Sequence, residues 1–316
     1  MNRFCERFGV EVPIVQGGLA YLAYAELAAS VSNAGGLGQI TATSLGDPES
    51  LRAEIKKIKQ LTKKPFAINF SLGRGSVDEL LDVVIEEEVP AISVTAGNPA
   101  PVFERVKDTN IKKLVLVAAV RQAQKAEQLG ADAIIVVGQE GGGHLGRDDV
   151  GTFVLVPRVV DSVSIPVLAS GGIVDGRGYA AALALGADGI EMGTRFIATQ
   201  ECIAHSAYKE AILKATEADT IVIKRTIERP ARALWTKATD RIKELEDEGV
   251  DFNALQPYIS GASNLKLIEQ GDHEHGFGWA GQGVGLIQDI PTVKELIETI
   301  QSDCKRALTG DRPPVR

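Results

Sequence analysis

Between residue 12 and about residue 194 the chain alternates short apolar runs with longer amphipathic stretches. The runs cover residues 12–15, 37–40, 66–69, 91–94, 114–117, 133–136, 166–169 and 189–192. They are rich in Val, Ile and Ala and apolar on successive positions, as strands covered on both faces of a parallel sheet are. The intervening stretches 23–33, 48–60, 77–88, 99–107, 121–129, 153–162 and 178–185 carry a helical pattern, with Gly or Pro near most boundaries. Eight strands alternating with helices predict the α/β class and a (β/α)8 barrel. A doubly wound sheet would place a GxGxxG phosphate loop after the first strand. The first run instead ends in Gln16-Gly17-Gly18, and the dense glycine clusters follow the sixth, seventh and eighth runs.

Past residue 206 the alternation stops. Residues 207–218 read as a helix, 232–249 as a charged helix, 261–285 as a glycine-rich segment and 292–308 as a final helix. The predicted division is a barrel core over residues 1–206. A mostly helical extension over 207–316 packs on the barrel as a lid.

Composition narrows the partners. The net charge of −8, with no basic run, argues against nucleic acid or an anionic membrane surface. It leaves room for an anionic cofactor, because backbone N–H groups hold phosphate without net positive charge. Cys5, Cys202 and Cys304 are scattered and odd in number, which predicts unpaired thiols in a reducing compartment. The opening MNRFCERFGVEVP has no long apolar run, so neither a signal peptide nor a membrane span is expected and a cytoplasmic location follows.

The candidate chemistry lies at strand ends, where barrel active sites sit. After the sixth run comes Gly138-Gln139-Glu140-Gly141-Gly142-Gly143-His144-Leu145-Gly146. Its glycines permit close approach of a flat ligand and deliver His144, whose unperturbed titration near neutrality suits proton transfer. The bland alternative is a hinge loop with a surface histidine. Ser170-Gly171-Gly172 after the seventh run and Met192-Gly193-Thr194 after the eighth offer neighbouring N–H groups and a hydroxyl for a phosphate monoester. Strand-ending glycines can also merely permit tight turns. Gln16, Gly17, Gly18 and Asn69 add polar and small groups at the same mouth, although Asn69 could equally cap a turn. His205 reads as a capping or surface residue. His273 and His275 resemble a metal tract without a third ligand, so no metal is expected. Gly281-Gln282-Gly283 lacks the strand-then-helix context of a dinucleotide motif.

Taken in order, these motifs resemble the nitronate monooxygenase (2-nitropropane dioxygenase-like) superfamily, which includes FMN-dependent enoyl-ACP reductases and NADH:quinone reductases. The resemblance runs from Pro13-Ile14-Val15-Gln16-Gly17-Gly18 through Glu140-Gly141-Gly142-Gly143-His144 and Gly193-Thr194-Arg195-Phe196 to Trp279-Ala280-Gly281-Gln282. It implies a TIM barrel binding one FMN, with NADH or NADPH as a possible co-substrate and a homodimer as one possible assembly. Gly171, Gly172, Gly193 and Thr194 would hold the phosphate. Gly17, Gly18, Asn69 and Gln139 would face the ring or ribityl chain, His144 would be the active-site histidine, and Gln282 would reach back from the lid. The first expectation is oxidation of alkyl nitronates with O2. The alternatives are an enoyl-ACP or quinone reductase at the same site, so the substrate is a nitronate, a quinone or an enoyl thioester; a flavin-binding sensor is the non-enzymatic alternative. Gln16-Gly17-Gly18-Leu19-Ala20 departs from the Gln-Ala-Pro-Met-Ala of the best-studied nitronate monooxygenases and is similar to the reductase branches, with Leu19 in place of Met.

Overall fold

Eight short strands close a ring in the computed structural model, which describes residues 2–73 and 76–311. They are β1 (Ile14–Gln16), β2 (Gly38–Thr41), β3 (Phe66–Ser71), β4 (Ala91–Thr95), β5 (Lys112–Val117), β6 (Ala133–Val137), β8 (Val167–Ser170) and β9 (Gly189–Met192), while the two-residue β7 (Gly143–His144) stands apart. All neighbours pair in parallel in the order β1-β9-β8-β6-β5-β4-β3-β2, and a parallel bridge between Val15 and Leu37 joins the two ends. The predicted barrel is therefore observed, with strand boundaries shifted by at most two residues.

Period-2 alternation sends one set of side chains into the ring. Val15, Leu37, Ala67, Ala91, Leu114, Ala133, Ile135 and Leu168 form one buried cluster with Phe4, Cys5, Phe8 and Val10. The last four come from α1 (Arg3–Phe8) and the segment after it, which plug the N-terminal end. The Asn2 side chain caps α1 by accepting from the Phe4 and Cys5 N–H groups, and Gly9 ends it in the left-handed region at φ 68°. Arg3 to Asp188 and Arg7 to Asp132 tie the plug to the rim. Two residues further along the strands, the inward positions become polar: Gln39, Asn69, Ser93, Ser170 and Glu191, all buried.

The outward strand faces carry α2 (Ala25–Asn33), α3 (Pro48–Leu61), α4 (Asp78–Glu86), α5 (Ala100–Arg105), α6 (Val120–Gln128), α7 (Thr152–Val160) and α8 (Gly176–Ala184). The last helix of the chain, α14 (Val293–Leu308), packs against α8 and α2 and so takes the eighth place in the helical ring. The division expected at residue 206 therefore does not isolate the barrel, because its eighth helix lies beyond it.

The segment before α14 departs from the sequence reading in two places. Residues 232–234, expected to begin a helix, belong to β11 (Ala231–Leu234), which pairs antiparallel with β10 (Thr220–Ile223). Ala231, Ala233 and Leu234 are buried in the resulting small sheet, and α11 (Lys237–Asp247) starts only after the Thr236 capping box. The glycine-rich 261–285 contains a regular helix, α13 (Gly261–Gln270), because Ser260 supplies the N-cap oxygen to Ser263 N. Short helices α9 (Thr194–Ile197), α10 (Ser206–Lys214) and α12 (Phe252–Ile259) complete the helical set. The extension is thus helical plus a three-stranded sheet, whose third strand is β7.

Gly38 marks the tightest packing of helix on strand. A Cβ there would sit 1.9 Å from the Ala28 carbonyl oxygen of α2. Gly38→Ala is expected to destabilise the protein by about 3 kcal/mol or more, whereas Gly73→Ala, with nothing within 4 Å, should stay within about 0.5 kcal/mol of the parent. Urea unfolding of both variants checks this; equal midpoints would contradict the packing account.

Candidate functional site

The C-terminal strand ends open into a cavity of about 1100 Å³. That is at the upper end of the roughly 300–1,000 Å³ typical of ligand pockets, room for a large ligand and a second reactant. Gly17, Gly18, Asn69, Gly143, His144, Ser170, Gly171, Gly172, Met192, Gly193 and Thr194 all line it, brought together from five strands. Three of the expected residues do not. Gln16 is fully buried, its side-chain oxygen accepting from Gln39 N at 3.0 Å. Gln139 turns its Nε2 to Gly146 O at 2.8 Å, and Gln282 is held by a backbone bond from its N–H to Glu140 O at 2.9 Å. None of the three lines the cavity.

The floor is a paired polar network. Gln39 Nε2 donates to Gln16 O at 2.9 Å, Ser93 Oγ donates to Gln39 Oε1, and Asn69 Nδ2 donates to Ser93 Oγ at 2.8 Å. The Asn69 amide is thereby fixed with its oxygen beside Gly18, where any Cβ would lie 2.3 Å from it. On the other side Ser170 Oγ donates to Glu191. Burial pushes the Glu191 carboxyl up to about 7, with the Ser170 hydrogen bond pulling weakly the other way. Glu191 was not among the expected site residues. Its signal was a lone acid inside the apolar eighth run, and only barrel closure shows which way it points.

One wall is built from glycine loops. Gly171 and Gly172 have φ of 98° and 75°, a region open to glycine. Among the described residues, no backbone hydrogen bond engages the N–H groups of Gly172, Gly193 or Thr194. Residues 279–283 cross this wall as a strap. Gly281 N donates to Thr194 Oγ1 at 3.0 Å, and a Cβ on Gly142 would meet the Ala280 and Gly281 backbone at 2.7 Å. Among the described residues, Thr41 Oγ1 and Asn264 Oδ1, buried atoms on two residues that also line the cavity, have no hydrogen-bond partner.

His144 is delivered by the small sheet. β7 pairs with β11 through Ala231 opposite His144, and Arg232 clamps Gln139 O with Nε and Nη2 at 3.2 and 3.1 Å. The ring lies 5.9 Å from that of Trp279, and its Nε2 is 3.1 Å from Lys224 Nζ. Desolvation by the surrounding protein, followed by the charges of Lys224 and Arg229, pushes its pKa down to about 4. The residue is itself exposed to the cavity, so its desolvation is partial, but both cations act in the same direction as burial. The direction is downward from the expected titration near neutrality, and it favours the neutral imidazole at pH 7. Lys224 had no signal in the sequence, since only the β10–β11 turn brings it 80 positions back along the chain to His144.

The remaining histidines lie elsewhere. His205 caps α10 by accepting from Ala207 N at 3.1 Å, and His275 Nδ1 pairs with Asp272 at 2.9 Å. Among the described residues no group of three His, Cys, Asp or Glu side chains is placed to hold a metal ion, and no helix is long and apolar enough to cross a membrane.

Comparison with known proteins extends over nearly the whole chain. The nitronate monooxygenase family model matches residues 2–80 and 73–303. A probable nitronate monooxygenase of Staphylococcus saprophyticus is 33% identical over 92% of this chain and 94% of its own. An octahydro-indene-carboxyl-CoA dehydrogenase of Rhodococcus jostii is 34% identical over 94% of each. The solved structure of FabK from Thermotoga maritima superposes with a TM-score of 0.92 at 42% identity, covering 98% of both chains.

The raised pKa of Glu191 makes a stability prediction with a definite sign. The folded state retains the proton up to about 7, whereas the unfolded carboxyl loses it near its ordinary 4.5. Stability from this group is therefore present at low pH and lost as pH rises through that window. Glu191→Gln should match the parent at pH 4.5 and exceed it at pH 8 by up to roughly 3 kcal/mol. Thermal unfolding at the two pH values reads the difference; a gain that does not grow with pH would show that Glu191 is ionised in the fold at no cost.

Proposed function

The chain belongs to the nitronate monooxygenase family of oxidoreductases, and from that premise we propose that it is an FMN-dependent reductase of enoyl thioesters that consumes NADH or NADPH. The observation that carries this reading is the 42% identity and TM-score of 0.92 to FabK, an enoyl-ACP reductase, against 33–34% identity to the nitronate monooxygenase and CoA-dehydrogenase relatives. Oxidation of nitronates, the first expectation, is less well supported than its reductase alternative.

The cavity fits the cofactor. Gly172, with its positive φ, and Gly193 and Thr194, at the start of α9, present unengaged N–H groups among the described residues, the donor set a phosphate monoester needs. Gly17 and Gly18 carry no Cβ, so Glu191 and the Asn69 oxygen come up against the backbone at the cavity floor, and the fixed Asn69 oxygen suits a ring N–H. Bound there, FMN would supply two-electron chemistry, taking hydride from NAD(P)H and giving it to the β-carbon of the thioester.

This chain's own residues would do the rest. His144 stands at the mouth and would pass a proton to the substrate α-carbon. The strap over residues 279–283 would keep water from the glycine wall. Arg121, Lys125, Arg147 and Arg229 line the cavity and outnumber Asp148 and Glu228 there, in a chain of net charge −8, a local cationic excess suited to the phosphates of a thioester carrier or of NAD(P)H.

The direct test is anaerobic. The purified protein should be yellow, NADH or NADPH should bleach it within seconds, and a trans-2-enoyl thioester should restore the colour. Turnover of a nitronate in air without bleaching by either nicotinamide would overturn the reductase reading in favour of the monooxygenase; a flavin that bleaches with no thioester, quinone or nitronate turning over would favour a sensor. A colourless protein that cannot be reconstituted would exclude FMN.

Gly172→Asp should weaken FMN binding at least about tenfold, roughly 1.4 kcal/mol, because a carboxylate would face the phosphate from a backbone at φ 75° that disfavours side chains. Flavin titration of the apoprotein measures it, with circular dichroism confirming the fold. Unaltered affinity would place the phosphate elsewhere.

A further inference from the structure

We propose that Lys224 is a positioning residue for His144: it holds the imidazole as its Nδ1–H tautomer and lends a proton to Nε2 when the Nδ1 proton is given away. The chemistry of this proposal rests on the reductase reading above; the geometry does not.

Four observations support it. First, an ammonium has donors and no acceptor, so the 3.1 Å contact of Lys224 Nζ with His144 Nε2 requires Nε2 to accept. The proton of a neutral ring then lies on Nδ1, which makes no hydrogen bond within the described residues and is left for a ligand. Second, Lys224 is buried, at 7% exposure, so its side chain is held against the protein and not splayed into solvent. Third, its backbone is in the left-handed region at φ 64°, uncommon for a lysine and of the kind found where a side chain must be aimed. Fourth, the turn that aims it is clamped. Glu246 of α11 accepts from Lys224 N at 3.0 Å with one oxygen, and from Thr226 N and Oγ1 at 3.1 and 3.0 Å with the other. Arg229 N closes the turn onto Lys224 O at 3.1 Å, and Nζ lies 5.5 Å from the Trp279 ring centroid.

The other charged groups along the cavity beside the ring are Arg229 from the same turn, Arg147 and Asp148 from the histidine's own loop, and Glu228, which pairs with Arg147 at 3.8 Å. No carboxylate hydrogen-bonds His144 among the described residues. A ring in this setting does not store a proton as imidazolium at pH 7, so it needs a neighbour to act as an acid.

The step balances as follows. Hydride derived from NAD(P)H forms the β-carbon C–H bond and leaves an electron pair on the α-carbon. The Nδ1–H bond of His144 breaks and the α-carbon C–H bond forms. An N–H bond of Lys224 breaks as Nε2–H forms, so the ring never becomes an anion. Nδ1 then takes a proton from cavity water, and Nε2 returns its proton to Lys224.

The test uses the FMN-loaded enzyme and Lys224→Met and Lys224→Arg, with flavin absorbance confirming that each folds. Nitrogen-15 NMR of labelled histidine, with His144 assigned through His144→Asn, should show the Nδ1–H tautomer in the parent. Lys224→Met should shift it toward Nε2–H and raise the ring's pKa from about 4, and Lys224→Arg should restore the parent tautomer. In stopped flow, Lys224→Met should slow flavin re-oxidation by a trans-2-enoyl thioester about 10²-fold more than it slows reduction by NAD(P)H, the scale of one acid–base catalyst. An unchanged tautomer and pKa in Lys224→Met, or equal slowing of the two half-reactions, would overturn the proposal. If the parent flavin is not reduced by NAD(P)H, the reductase reading fails, and the tautomer comparison still decides whether Lys224 governs His144.

Discussion

A polar side chain inside a closed barrel has to find its partner within the barrel, because water cannot reach it from below. Everything at this site depends on how that requirement is met at the upper inward layer. Gln39, Ser93 and Asn69 form a chain of hydrogen bonds across β2, β4 and β3, and Ser170 meets Glu191 between β8 and β9. Leaving one such group unpaired costs about 1–3 kcal/mol, so the network is held in one arrangement. The result is a floor with fixed donors and acceptors beneath a cavity whose walls are glycine.

The glycines and the floor are coupled. Gly18 has no Cβ because the Asn69 oxygen occupies that space, and Gly17 has none because Glu191 does. Small residues at the ends of β1 are thus dictated by polar residues on β3 and β9. The apolar half of the barrel, stapled shut by α1, supplies the rigidity against which this layer is set.

The site's ionisable groups are held by a different element. The β10–β11 hairpin takes two residues of the histidine loop as a third strand, and the same hairpin's turn carries Lys224. The segment between β9 and α14 therefore does more than cover the barrel. It sets the backbone of His144 on one side and the charge against its ring on the other, while residues 279–283 tie the glycine wall to the Thr194 hydroxyl.

By itself, the sequence determined the barrel and the mouth. Alternating apolar runs and helical stretches follow from local periodicity, and glycine at strand ends follows from backbone sterics, so Gly17, Gly171, Gly172 and Gly193 were legible without a fold. The His144 loop was legible for the same reason. Charge state and pairing were not. The neutrality of His144, the protonated tendency of Glu191, the aim of Lys224 and the buried amide of Gln16 all depend on desolvation and on contacts between residues tens of positions apart. Nor could glycine content reveal α13 or charge reveal β11, since a capping serine and the burial of Ala231 and Ala233 decided those elements. Periodicity is a property of neighbours in the chain, whereas a pKa is a property of neighbours in space, and only the closed tertiary structure brings those together.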